Sequence, residues 1–111
     1  MMEINEKGVC ISARTMTGIF YGSQTLEQLM EDSRDFNILI PAMLIIDYPA
    51  ISYRAVHFDV KHHLDRMEYY YQEIDKLARY KINAVIWELE DKLRYTRRPE
   101  IGAPNAISKQ E

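Results

Sequence analysis

The stretch from Tyr53 to Asp91 constrains this chain most, because its hydrophobic pattern changes period twice. Tyr53–Val60 reads as a strand, with Ala55, Val56 and Phe58 apolar and Asp59 at its C-terminal end. Asp65 opens a helical pattern, and Glu68 three residues later gives an acidic version of the capping box. Met67, Tyr70, Tyr71, Ile74, Leu77 and Ala78 then form an apolar stripe at helical spacing. Asp75 and Arg79 make an i,i+4 pair on the wet side, and Asn83 is placed to cap the helix end. Ala84–Leu89 follows as a nearly continuous apolar run, the pattern of a strand buried on both faces. Two strands joined by a helix of this length should be parallel, with a right-handed crossover.

The segments before this unit read differently. Gly8–Ala13 alternates as a short strand and Thr17–Glu31 as a helix, with Ile19, Gly22, Leu26, Leu29 and Met30 on one face. Ser33–Asn37 is a polar break. Ile38–Ile40 and Met43–Ile46 are strand candidates separated by Pro41, which cannot donate to a central ladder. Asp47-Tyr48-Pro49 marks a turn, so the expected boundary divides residues 1–46 from 47–111. Beyond the second strand, Lys92–Asn105 reads as a basic loop, and Ser108 as the cap of a further helix. A lone parallel pair leaves both sheet edges open, so the chain reads as part of a larger α/β barrel, marginally stable alone and prone to self-associate through those edges.

Composition narrows the partners. The 111 residues carry a net charge of −3, against the basic excess that nucleic-acid binding usually needs. The most apolar run, Ile38–Ile46, is far too short to span a bilayer. Met1–Gly8 is charged and lacks the apolar core of a secretory signal, so the leader of an exported parent (periplasmic or extracellular) is expected elsewhere. Cys10 is the single cysteine and reads as a small core residue.

Chemistry is expected where parallel α/β folds place it, at the C-terminal strand ends. Two clusters sit there: His57, Asp59, Lys61, His62 and His63 on the first strand, and Glu88, Glu90 and Asp91 on the second. Asp59, Lys61 and His62 could bind sugar hydroxyls, hold a catalytic group or ligate a metal. Asp59 could equally fix a loop, and His62 and His63 could be solvated loop residues. His57, Asp59 and Glu88 have suitable donors, but no recognised metal-ligand spacing is present, and no cofactor is expected. The sequence shows no nucleophile elbow, Gly-rich phosphate loop or paired-Cys motif. Tyr69–Tyr71 read as helix packing, whereas Trp87 could either floor a sugar pocket or join the core.

At this point a family resemblance emerges. Gly18-Ile19-Phe20-Tyr21-Gly22-Ser23-Gln24-Thr25-Leu26-Glu27-Gln28-Leu29 resembles the G-x-x-Y-G-x-Q-T-L-x-Q-L segment of glycoside hydrolase family 20, the β-N-acetylhexosaminidases. Ile46-Asp47-Tyr48-Pro49 with Tyr53-Arg54-Ala55 is similar to that family's lead-in to its first barrel strand. Leu77–Asn83 is similar to the M-A-x-Y-K-x-N close of the first barrel helix, and Trp87–Asp91 to W-H-L-x-D on the second strand. The usual D-x-S-R-H after the first strand has His62 in place of its sugar-binding Arg. Val56–Lys61 with Glu88–Asp91 looks more like the hexosaminidase D branch, with its H-x-D-x-K and E-Y-E-D.

The resemblance implies that residues 1–46 end a small α+β domain and that 47–111 begin a (β/α)8 barrel. It implies an N-acetylhexosamine-containing glycan as partner, with the remainder of a parent chain, and Asp91, Glu88, Asp59, Lys61 and His62 as substrate-binding residues. The implied reaction is substrate-assisted retaining hydrolysis, an exception to the usual two-carboxylate scheme. Its Asp-Glu pair belongs to a fourth barrel strand, so no catalytic residue is expected in this chain. The alternatives are a non-catalytic carbohydrate-binding or scaffold module and another barrel glycosidase.

Overall fold

A computed structural model describes residues 1–108, a mixed α/β arrangement of two helices and two sheets. The contacts divide into two units: Met1–Ser52 with Arg79–Lys81, and Tyr53–Ala78 with the residues from Ile82 onward. Among the described residues no helix is long and apolar enough to cross a membrane.

In the first unit, β1 (Met2–Asn5) and β2 (Gly8–Ile11) form a hairpin, and β3 (Met43–Ile45) pairs antiparallel on the other side of β1. Strand β1, the sheet's centre, is missing from the sequence reading. Its signal is the alternation of Met2 and Ile4, both buried, with Glu3 and Asn5. Between the strands, Asn5 Oδ1 accepts the Lys7 N–H at 2.9 Å, and Gly8 takes φ +130°, a conformation L side chains rarely adopt. Cys10 is exposed on β2, not in the core. Ile38–Ile40 forms no strand, so β3 begins only after Pro41.

Helix α1 (Met16–Phe36) starts at Thr15, whose Oγ1 accepts the Gly18 N–H at 3.1 Å. Gly18 and Gly22 let it lie close against the chain of β2. A Cβ at Gly18 would stand 2.7 Å from the Ala13 Cβ, and one at Gly22 2.6 Å from the Ile11 Cγ2. The expected break at Ser33–Asn37 is instead the last helical turn. Asn37 adopts the left-handed conformation (φ 52°), and the Ile38 N–H returns to the Ser33 carbonyl at 3.0 Å, a Schellman closure. Gln28 Nε2 donates to the Arg79 carbonyl at 3.0 Å, and Lys81 pairs with Asp47 at 2.6 Å. Arg79 pairs with Glu31, not with Asp75 as its spacing suggests.

In the second unit, β4 (Ala55–Asp59) and β5 (Ala84–Glu88) run parallel and in register, joined through α2 (Met67–Arg79). This is the β-α-β element expected from the changing period. Phe58, Tyr70 and Trp87 form an aromatic cluster in which Tyr70 is buried and Trp87 remains exposed. Trp87 lies 4.9 Å from Phe58 and 5.0 Å from Tyr70 between ring centres. Tyr70 is the buried member of the tyrosine run, while Tyr69 and Tyr71 remain exposed.

Two helix ends differ from expectation. Helix α2 starts at Met67, so Asp65 precedes its first turn; the Asp65 N–H donates to the Tyr70 hydroxyl at 3.0 Å. At the other end Lys81, not Asn83, takes the left-handed conformation (φ 60°), and the Ile82 N–H returns to the Leu77 carbonyl. Asn83 instead ties the two strands together at their start. Its Oδ1 accepts the Arg54 N–H at 2.8 Å and its N–H donates to the Arg54 carbonyl at 3.0 Å.

Strand β5 is not buried on both faces, since Ile86 on one face and Trp87 on the other are exposed. The expected loop at Lys92–Asn105 contains more order than its composition suggests. It has 3₁₀ turns at Glu90–Lys92 and Pro99–Ile101 and a parallel bridge between Leu93 and Ile107. The helix expected after Ser108 lies outside the described residues.

Candidate functional site

Alternation along the paired strands separates packing from chemistry. Val56 and Phe58 share the face that carries the aromatic cluster, and so does Trp87, the register partner of Phe58. His57 and Asp59 point to the opposite face, with Ile86 and Glu88 beside them. Trp87 therefore packs with Phe58 and Tyr70 and does not share a face with Glu88.

The polar face ends in a connected set of side chains. Asp59 and Glu88 are register partners at the C-terminal ends of β4 and β5. Lys61 follows β4, and its Nζ lies 3.0 Å from Glu88 Oε1 and 3.4 Å from Asp59 Oδ2. Asp59 Oδ1 accepts the Lys61 backbone N–H at 3.2 Å. On the far side of Glu88, His57 Nε2 stands 3.1 Å from Oε2. Each oxygen of the Glu88 carboxylate thus has its own nitrogen partner. The Val60 N–H also donates to the Glu88 carbonyl, extending the strand pairing past Asp59.

The electrostatics follow from this geometry. The Glu88 hydrogen bond and the nearby Asp59 charge raise the Lys61 pKa above its ordinary value. At Asp59 desolvation opposes ionisation, but the Lys61 backbone hydrogen bond, the Lys61 ammonium and the charge of His62 outweigh it, so its pKa falls. Lys61 is therefore ammonium and Asp59 carboxylate through the neutral range. An ammonium flanked by carboxylates offers both donors and acceptors, the complement of neighbouring sugar hydroxyls.

The expected residues are not all gathered. Asp59, Lys61 and Glu88 form one cluster, and His57 belongs to it. Asp91 lies one turn further on, with its Oδ1 2.7 Å from the Lys92 Nζ and its carbonyl accepting the Ala103 N–H at 2.7 Å. Glu90, between Glu88 and Asp91, takes φ 43°, a left-handed conformation that favours glycine. The Tyr95 hydroxyl donates to its carbonyl at 2.9 Å and steadies that turn. His62 follows Lys61 in the chain, while His63 pairs with Asp65 at 3.2 Å. Among the described residues no three His, Cys, Asp or Glu side chains are grouped to hold a metal ion.

Residues 1–48, which hold the hairpin, α1 and β3, match the family model described as glycosyl hydrolase family 20, domain 2. The chain belongs to glycosyl hydrolase family 20. It is 34% identical, over 93% of its length, to a β-hexosaminidase of Porphyromonas gingivalis, covering 15% of that protein. A β-hexosaminidase of Vibrio vulnificus is 30% identical over 81% of the chain, which covers 10% of it. A β-N-acetylhexosaminidase of Cellulomonas fimi is 30% identical over 79% of the chain, which covers 18% of it. The chain thus spans less than a fifth of the length of these relatives, and the similarity extends well past the matched domain into the β-α-β unit.

Proposed function

We propose that this chain contributes the first sugar-contacting strand ends of a β-N-acetylhexosaminidase that releases terminal N-acetylhexosamine from glycans. In this reading β4, α2 and β5 are the opening β-α-β of a (β/α)8 barrel, and residues 1–46 close the small domain before it. The observation that carries the reading is the Lys61 bridge between Asp59 and Glu88, at the strand ends where such barrels bind ligands. The similarity to β-hexosaminidases across both units supports the choice of sugar.

The roles follow from the side-chain chemistry. Lys61 donates to a ring hydroxyl from the position where the family more often uses an arginine beside it, at His62. Asp59 and Glu88 accept from neighbouring hydroxyls. Asp91 and His62 reach the sugar from the adjacent loops. Bond cleavage would be substrate-assisted: the acetamido oxygen attacks the anomeric carbon while an acid protonates the leaving oxygen. The Asp-Glu pair for that step belongs to a later strand, so the 111 residues bind without catalysing.

Titration of the chain with methyl N-acetyl-β-glucosaminide tests this reading, with a chromogenic N-acetylglucosaminide assayed in parallel. The expected result is weak binding that Lys61→Met reduces about tenfold, as for loss of a hydrogen bond to a charged group, with no turnover above a buffer blank. Binding unchanged in Lys61→Met contradicts the assignment of Lys61, and turnover contradicts the absence of the catalytic pair.

A further inference from the structure

The cluster contains one side chain to which the sugar-binding reading gives no role. His57 stands on the same face as Asp59 and Glu88, with Nε2 3.1 Å from Glu88 Oε2. Lys61 holds the other oxygen, Oε1, at 3.0 Å. A carboxylate held at one oxygen still swings about its terminal torsion, which is broad and roughly two-fold. Held at both, it has one plane, and its unused lone pairs point in fixed directions. The charged groups around the imidazole are Glu88 from β5 and Asp59 and Lys61 from its own strand and the residues after it. Of these, Glu88 is within hydrogen-bond reach of Nε2. The aromatic cluster lies on the opposite face, so His57 supports no packing there.

We propose that His57 is a positioning residue, which fixes the plane of the Glu88 carboxylate so that it and Lys61 meet neighbouring hydroxyls of one sugar ring. The proposal rests on the sugar-binding reading for its consequence, but not for its geometry. At 3.1 Å the Nε2–H form of His57 would donate to Glu88 Oε2 without touching the ligand. A glutamine at position 57 keeps an N–H donor on a side chain of similar reach, whereas an alanine removes it.

The experiment records the side-chain carboxylate ¹³C resonance of Glu88 in the 111-residue chain. It compares wild type, His57→Ala and His57→Gln, each without ligand and during titration with methyl N-acetyl-β-glucosaminide. The Glu88 resonance should move in His57→Ala and return toward its wild-type position in His57→Gln. Affinity should fall about 3- to 10-fold in His57→Ala, about the net worth of one hydrogen bond lost indirectly, and recover in His57→Gln. An unmoved Glu88 resonance in His57→Ala overturns the proposal, as does a glutamine variant that behaves like the alanine. Weaker binding with an unmoved Glu88 resonance would mean that His57 meets the sugar directly. If the wild-type chain binds no sugar, the functional reading fails, while the ligand-free Glu88 resonance still decides the positioning role.

Discussion

The two units of this chain solve the same problem, a small sheet with one helix against it, by opposite means. The first builds an antiparallel sheet from a hairpin, β1 and β2, and a strand, β3, that returns after α1 to pair with the other edge of β1. Its helix comes close through glycines, and buried Met2 and Ile4 fill the core. The second joins two parallel strands across a crossover helix, so each strand keeps an unpaired edge. One face of that pair holds aromatic rings, and the other exposes Ile86 beside the polar cluster. The antiparallel unit pairs its central strand on both sides but still exposes Leu39, Leu44 and Ile46, and its helix buries no side chain fully. The parallel unit leaves apolar and polar surface open at the strand ends where α/β folds gather ligands.

This contrast can be broken most sharply at Tyr70. Its ring contacts both Phe58 and Trp87, its hydroxyl accepts the Asp65 N–H, and it is 3% exposed. Tyr70→Ala should cost about 3–5 kcal/mol. Trp87 fluorescence should report unfolding of the parallel unit, while amide exchange in β1 and β2 stays near wild type. Equal loss of protection in both units would show that they do not behave separately.

A smaller effect is expected in the other unit. Gly22→Val forces a branched side chain against Ile11, whose Cγ2 is already 2.6 Å from an ideal Cβ. The change should cost about 1–3 kcal/mol by overpacking. It should appear as faster amide exchange in α1 and β2, with an unaltered Trp87 signal.

The smallest effect is electrostatic. Asp59 has a lowered pKa, so its contribution is complete above its unfolded value of about 3.9 and is lost as pH falls through the lower folded value. Lys61 has a raised pKa, so its contribution is complete below about 10.4 and is lost as pH rises through the higher folded value. Both side chains are partly exposed, which keeps the gain small. Melting temperatures of the parallel unit should form a plateau between about pH 5 and pH 9. Lys61→Met should lower that plateau slightly and soften its alkaline edge.

The sequence makes the parallel unit more legible than the antiparallel one. Val56 and Phe58 alternating with His57 and Asp59 declare both the strand and its two faces, and the stripe through Tyr70 and Ile74 declares the helix. Strand β1 escapes because Glu3, Glu6 and Lys7 draw attention to charge, while its alternation spans only Met2 and Ile4. Helix ends are harder. Asn83 looks like a cap, yet it is Asn37, inside the apparent polar break, that takes the left-handed turn. Asn83 is drawn instead to the Arg54 backbone, and Lys81 bears the strained conformation. The left-handed Glu90 has no signal in residue type, since nothing in Glu88-Leu89-Glu90-Asp91 requires a turn there. At the site, the types of Asp59, Lys61 and Glu88 are readable, but their union depends on the register that pairs Asp59 with Glu88.

The most direct test maps where the sugar binds. Amide and side-chain resonances of the 111-residue chain should be followed during titration with methyl N-acetyl-β-glucosaminide, with methyl β-glucoside as the control lacking the acetamido group. Perturbations centred on Asp59, Lys61 and Glu88, with both sugars because the contacts are to shared ring hydroxyls, are the predicted result. Perturbations confined to the first unit, or none in the strand-end cluster at saturating sugar, would contradict the account.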